Sequence, residues 1–168
     1  MAAFGAGKRD DYVTPPSGLV IHHDGFFDVD RFHEELRGWF FKKRYDYIEK
    51  EVQIKNKPQG REYVFGMNGE REVDEFFKFH VQFKVFSIRT QKLKEGGYSG
   101  WVKLNIKAWI ELDWTKRWQK NSWTRFLYYV YVNFIIKDRI IRTYESKLYL
   151  EMLEAIGIAK SCMREVYH

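Results

Sequence analysis

The chain has little cysteine and no long apolar run. The first excludes an intrachain disulfide, and the second argues against a membrane-spanning helix. Only one of the 168 residues is cysteine, Cys162, so an intrachain disulfide is impossible and a reducing, cytoplasmic setting is expected. No apolar run approaches the roughly 20 residues that a membrane-spanning helix needs. The N-terminus also lacks the apolar core of a signal peptide. We therefore expect a cytoplasmic protein without a transmembrane segment.

The sequence also lacks the short motifs that are typical of the common enzyme classes. The sequence contains no nucleophile elbow, no phosphate-binding loop and no dinucleotide-binding fingerprint. No set of histidine, cysteine and carboxylate residues has a zinc-site spacing. The adjacent His22 and His23 lie on a predicted strand and point to opposite faces, so they cannot easily share one metal. These absences favour a non-enzymatic protein with no catalytic residues, metal or cofactor, although they leave enzymatic activity open.

Aromatic residues and positive charge are plentiful. The chain is 45% hydrophobic and 18% aromatic, enough for a sizeable core, and its net charge is +6. We expect a flexible N-terminal arm over residues 1–17, which holds small residues and Pro15-Pro16, and a single domain over residues 18–168. The charge is compatible with nucleic acid, anionic lipid or an acidic protein as partner, and equally with plain solubility.

A long hairpin from Phe76 to Trp114 dominates the pattern. Apolar residues alternate with polar ones along both arms, which is typical of half-buried strands. The glycine-bearing segment 94–100 links the arms, so the two strands are predicted to be antiparallel neighbours. One face of the hairpin is predicted to be buried, and it carries Phe77, Phe79, Val81, Phe83, Val85, Val102, Leu104, Ile106, Ala108, Ile110 and Leu112.

The segments before the hairpin alternate between strands and a helix. Asp24-Gly25 is predicted to turn the chain after a strand over 19–23. A helix follows from Val29, with Asp28 as N-cap and Phe27 stapled to Phe32. Strands are predicted over 45–55 and 61–67, and Asn68-Gly69 predicts a two-residue hairpin turn.

The C-terminal part contains one ambiguous segment and one clear helix. Residues 126–136 are aromatic and β-branched, which favours a strand, although the continuous apolar run leaves a helix open. Apolar residues from Ile141 to Met163 recur at helical spacing. The chain order resembles the helix-grip architecture of START-like and Bet v 1-like proteins. That resemblance implies an α+β fold, with a curved, mainly antiparallel sheet packed on an N-terminal helix and a long C-terminal helix.

The first functional prediction is a small binding domain that encloses an apolar ligand between the sheet and the C-terminal helix. Aromatic and methionine side chains with a few hydroxyls suit a lipid-like or aromatic molecule. A solid core made of the same residues is the alternative. The predicted lining residues are Phe79, Val81, Phe83, Leu104, Ile106, Tyr128, Val130, Tyr144, Leu148 and Met152.

Two further predictions concern the surface. Basic residues interleaved with tryptophans on the polar face of the hairpin suit nucleic acid, or a role in a ribonucleoprotein, through phosphate attraction and base stacking. The alternative is a solvated face on which lysine stems cover the indoles. This candidate interface comprises Lys78, Lys84, Trp101, Lys103, Lys107 and Trp109. The third prediction is a structural subunit that pairs through exposed aromatics, and the Trp114–Arg125 segment, with three tryptophans and four cations, suits a membrane surface or a partner.

Overall fold

The computed structural model describes residues 10–94 and 97–164, which form one sheet and a set of helices. The strands are β1 (Asp10–Tyr12), β2 (Leu19–Phe27), β3 (Asp46–Lys57), β4 (Gly60–Glu72), β5 (Phe77–Lys92), β6 (Tyr98–Leu112) and β7 (Met163–Arg164). The α-helices are α1 (Val29–Lys42), α2 (Ser122–Val130), α3 (Lys137–Arg139) and α4 (Ser146–Ser161). A 3₁₀ turn (Arg117–Gln119) precedes α2, and two π-helical segments (Tyr131–Ile135 and Ile140–Glu145) flank α3.

The sheet is antiparallel and is built around the β5–β6 hairpin. The strand order is β3-β4-β5-β6-β2-β7, and β1 pairs with β6 beyond the start of β2. Register across the hairpin runs from Phe77 opposite Leu112 to Lys92 opposite Tyr98. The predicted α+β class, with a mainly antiparallel sheet packed on an N-terminal and a C-terminal helix, is confirmed. The sheet is uncurled, whereas the helix-grip resemblance implied a curved one.

The core lies on the predicted face of the hairpin. Every one of the eleven hairpin residues assigned to that face is buried. Helix α1 contacts this face through Trp39 and Phe40, whose rings lie edge-on to Phe83 at centroid distances of 6.4 and 5.9 Å. The C-terminal segment contacts the same face, since Tyr144 stacks on Phe77 at 4.1 Å. Both helical elements lie on one side, so no helix of residues 10–94 and 97–164 covers the polar side of the sheet.

Helix α1 begins as the sequence predicts. The Asp28 carboxylate accepts a hydrogen bond from the Arg31 backbone N–H at 3.0 Å, which satisfies one of the free donors of the first turn. The Phe27 and Phe32 rings lie 5.4 Å apart across the cap. The cap and the staple together set the direction in which the chain enters α1.

Two predicted turns are wrong because the glycines serve strands instead. Strand β2 continues through Asp24-Gly25 to Phe27, and Gly25 adopts a φ of 142° within the ladder. Strand β4 continues through Asn68-Gly69, with Gly69 paired to Tyr47 and Val81. A Cβ on Gly69 would lie 2.3 Å from the Phe40 ring. Glycine at position 69 therefore permits the close approach of α1 to the sheet.

The strand favoured for residues 126–136 is also wrong, because the segment is helical. Its buried residues recur every four positions, from Tyr128 through Val132, Ile136, Ile140, Tyr144 and Leu148 to Met152. An α-helix has 3.6 residues per turn, so each step of four rotates the stripe by about 40° away from the sheet. The two π-helical segments take more residues per turn and offset that drift. The aromatic and β-branched composition suggested a strand, but the segment is helical because that conformation packs one buried residue in four on the sheet.

A buried polar cluster joins α4 to the sheet. Arg71 of β4 donates to both carboxylate oxygens of Glu151 at 3.0 Å and to the Lys43 carbonyl at 2.7 Å. The Tyr45 hydroxyl donates to Glu151 at 2.7 Å. The Arg71 guanidinium also lies over the Tyr45 ring at 4.5 Å. Because these charges are mutually satisfied, the cluster fixes the position of α4 without leaving a buried ion unpaired.

Part of the predicted N-terminal arm takes part in the sheet. Residues 10–12 form β1, and the Val13 backbone N–H donates to the Ala108 carbonyl at 3.0 Å. Residues 1–9 of that arm lie outside the described residues. Over residues 10–94 and 97–164, no helix is long and apolar enough to cross a membrane.

Candidate nucleic-acid interface

The residues predicted to line an apolar pocket lie in and around the core. Nine of the ten are buried and belong to a single hydrophobic cluster, whereas Val130 at the end of α2 is half-buried. Aromatic rings pack closely beside them, since Tyr144 lies against Phe77 and is also edge-on to Phe79 at 6.3 Å. Enclosure of an apolar ligand among these residues stays a prediction.

The six residues predicted to bind nucleic acid all lie on the opposite, polar face. On β6, Lys103 and Lys107 stand two positions to either side of Asn105, and Lys84 of β5 is paired directly with Asn105. Alternate residues of a strand share a face, and cross-strand partners lie about 5 Å apart. Lys84, Lys103 and Lys107 therefore form a compact group at the centre of the sheet.

Lys78 belongs to a different electrostatic environment at the end of this face. Its ammonium group lies 2.8 Å from a Glu70 carboxylate oxygen, and this hydrogen bond raises the pKa of Lys78 and lowers that of Glu70. Nearby, His80 lies between Glu70 and Glu111, at 3.7 and 2.9 Å. Because two carboxylates occupy this end, Lys78 is already neutralised and contributes little attraction for phosphate.

A fourth lysine joins the central group from the neighbouring strand pair. Lys84 is paired with Gly66 of β4, and Gly66 is in turn paired with Lys50 of β3. A groove of about 300 Å³ opens here, lined by Lys50, Gly66, Asn68, Gln82, Phe83 and Lys84. Gly66 has no side chain to fill the groove, and Lys50 and Lys84 lie on either side of it. We call Lys50, Lys84, Lys103 and Lys107 the basic sheet face.

The basic sheet face is less neutralised than Lys78: the charge of Lys50 helps to lower the pKa of Glu70, but the two groups form no ion pair. None of its four lysines forms an ion pair with another of the described residues, in contrast to Lys78. In the groove, the buried side-chain oxygen of Asn68 receives no hydrogen bond within the described part of the chain. The four lysines thus offer cations for an anion, whereas the Asn68 oxygen is buried in this structure.

Aromatic rings border the lysines at both ends. Trp101 contacts His22 at 5.4 Å and Phe86 at 6.4 Å. Trp109 is stacked on His80 at 4.9 Å with an interplanar angle of 2°, and it also contacts Tyr12 at 6.0 Å. Both indoles have ring neighbours from two strands, but the parallel His80 ring covers one face of Trp109, whereas the rings beside Trp101 are tilted by 34° or edge-on at 79°. Trp101 is therefore the better placed indole for a base.

The chain segment before β2 forms one border of this face. Asn105 donates to the Ser17 carbonyl at 3.0 Å. A Cβ on Gly18 would lie 2.0 Å from the Asn105 side-chain oxygen and 3.0 Å from Lys107. The close contact holds the 15–18 turn beside the lysines.

The sequence signal missed Lys50, Asn68 and Gly66. Lys50 lies on a strand with mixed alternation, and Asn68-Gly69 suggested a turn that would have ended β4. The cross-strand register could have identified these residues. If β4 continues through Asn68, then Gly66 and Asn68 lie on the same face of the sheet as Lys84.

The Trp114–Arg125 segment divides into packed and exposed tryptophans. The Trp114 indole N–H donates to the Asp74 carbonyl at 2.8 Å, and Trp118 stacks on Tyr131 at 5.4 Å. Trp123, in contrast, is 66% exposed and contacts Phe126 at 5.7 Å. Of the three tryptophans of this segment, Trp123 is the one whose ring is available to a partner.

Metal and thiol chemistry find little support in the described residues. Over 10–94 and 97–164, no group of three or more histidine, cysteine or carboxylate residues is placed to hold a metal ion. His33 contacts Glu49 at 3.1 Å on the helical side of the sheet. Burial raises the pKa of the Cys162 thiol, which makes it a poor nucleophile.

Comparison with protein-family models, curated proteins and solved structures finds no match to this chain. Function therefore has to be inferred from the residues of the site.

Proposed function

We propose that this protein binds single-stranded nucleic acid on the basic sheet face. The observation that carries the proposal is a group of four lysines on one face of the sheet, two of which, Lys50 and Lys84, border the Gly66 groove. These lysines form no ion pair with a described residue, and they lie on the side of the sheet opposite to the helices.

The lysines suit the backbone of an extended strand. Three strand spacings separate β3 from β6, so Lys50 lies roughly 14 Å from Asn105 and roughly 16 Å from Lys103, which is two positions along β6. This distance exceeds one phosphate spacing, so the lysines are able to neutralise several phosphates at once. Each neutralised phosphate releases condensed counterions, which supplies most of the affinity for a strand bound without sequence preference.

Trp101 and the polar groove residues suit the bases. An aromatic ring at the border of a basic groove stacks on any base, and such stacking requires bases that are not already paired. Asn68 and Gln82 are the amide side chains in the groove. Few groups are placed to read base edges, so we expect a preference for single strands with little discrimination between sequences.

Charge reversal tests the proposal. Lys103→Glu combined with Lys107→Glu should abolish binding of a labelled single-stranded RNA in fluorescence anisotropy, because two attractive groups become repulsive. The matched control is Lys147→Glu with Lys160→Glu, which makes the same change of net charge at exposed positions of α4. Equal loss of binding in both variants would show a general effect of charge and would refute a site on the sheet.

A further inference from the structure

The helical layer exposes an unusual number of large apolar side chains. Phe134 is 73% exposed, Ile135 66%, Trp123 66%, Phe126 54% and Leu127 37%. We call these five residues the outer helical patch. Large exposed apolar groups in one region mark a surface that another molecule covers.

The patch is centred on the side of the helical segment that faces away from the sheet. Phe126 lies two positions before the buried Tyr128, and Phe134 lies midway between the buried Val132 and Ile136, which places both on the side opposite to the buried stripe. Trp123 contacts Phe126 at 5.7 Å, and Leu127 and Ile135 are sequence neighbours of Phe126 and Phe134. The residues that pack on the sheet, Tyr128 and Val132, form a different stripe of the same segment. The patch therefore lies outside the packing of the fold.

Cations surround the patch. Residues 120–142 contain five cations, Lys120, Arg125, Lys137, Arg139 and Arg142, and one acidic residue, Asp138. None of the five cations forms an ion pair with a described residue. Two copies of this chain would bring like charges together if they paired through the patch. The charge thus argues against self-association and for an anionic surface.

The chemistry of the side chains selects among anionic surfaces. Tryptophan and phenylalanine favour the boundary between lipid headgroups and acyl chains, and arginine and lysine extend their charged ends from that depth to anionic headgroups. Each cation near such a surface adds attraction. Phosphate alone would use the cations but leave Phe134 and Ile135 in water.

We propose that the outer helical patch docks on the surface of an anionic lipid bilayer. The segment 122–135 lies in the plane of the interface, with its apolar residues inserted and the flanking cations at the headgroups. This places the basic sheet face on the side of the molecule away from the lipid. The docking does not depend on nucleic-acid binding, because the two surfaces share no residue.

Vesicle co-sedimentation of the full chain tests this proposal. Wild-type protein should bind vesicles of phosphatidylcholine and phosphatidylserine mixed three to one, and should bind far less to phosphatidylcholine alone. Phe134→Ser with Ile135→Ser should weaken binding at least about tenfold, because two inserted apolar groups are lost. Both positions are exposed, so a thermal melt should show an intact fold.

The control variant is Ile48→Ser with Val20→Ser, which removes two exposed apolar residues from the opposite side of the sheet. It should bind vesicles like the wild type. Absence of wild-type binding to the anionic vesicles, or equal binding by the Phe134 and Ile135 variant, would overturn the proposal. Sedimentation that shows a dimer disrupted by the same two substitutions would identify the patch as an interface between copies and would also overturn it.

Discussion

At the scale of residues, Phe83 shows how one side chain connects the sheet to α1. It is fully buried and lies edge-on to both Trp39 and Phe40. Phe83→Ala should reduce the free energy of unfolding by roughly 3–5 kcal/mol, because a cavity adds to the lost transfer free energy. Chemical denaturation measures this. Phe134→Ala, at a site 73% exposed, is the matched control and should change stability by less than about 0.5 kcal/mol. Equal effects at the two sites would contradict the assignment of the faces.

Tyr45 predicts a particular dependence of stability on alkaline pH. Burial and the neighbouring charge of Glu151 raise the pKa of Tyr45 well above its ordinary value of 10.0. The unfolded chain therefore releases this proton first, and the stability that Tyr45 contributes declines as pH rises from the unfolded pKa through the folded pKa. Urea unfolding between about pH 9 and pH 11 should show a steeper loss for the wild type than for Tyr45→Phe. Parallel curves would mean that Tyr45 ionises as readily in the folded state.

At the scale of elements, Gly69 and Gly157 give opposite expectations for the same substitution. A Cβ at Gly69 meets the Phe40 ring at 2.3 Å, whereas a Cβ at Gly157 in α4 meets nothing within 4 Å. Gly69→Ala should destabilise by about 1–3 kcal/mol through overpacking. Gly157→Ala should stabilise by up to about 1 kcal/mol, since alanine is the better helix former. Melting temperatures of the two variants measure this, and a stabilised Gly69→Ala would refute the close approach of α1 to β4.

The elements also show which parts of the structure the sequence could predict. Strict alternation along β5 and β6 predicted both strands and their buried faces, because a period of two has one structural explanation. The Asn68-Gly69 turn was mispredicted because the need for glycine came from Phe40, a residue distant in sequence. The 126–136 segment was mispredicted because a buried residue at every fourth position needs π-helical turns, which local propensity does not reveal. Lys84, Lys103 and Lys107 of the site followed from alternation, whereas Lys50 depended on the register of β3 and β4.

At the scale of the whole molecule, the structure separates two surfaces of the same charge sign. The helical layer covers the apolar face of the sheet and exposes the outer helical patch, while the basic sheet face lies on the other side. A partner on one side leaves the other accessible. Variants of each surface should therefore affect one binding activity and spare the other.

Salt dependence of nucleic-acid binding by the wild-type protein tests the central claim most directly. Anisotropy titrations of a labelled single-stranded RNA over a range of salt concentrations give the slope of log affinity against log salt. If the four lysines of the basic sheet face each neutralise one phosphate, the slope should be roughly −3, from about −0.7 per contact on a single strand. Undetectable binding near physiological salt, or an affinity that does not change with salt, would contradict the account and leave the sheet face as a solvated surface.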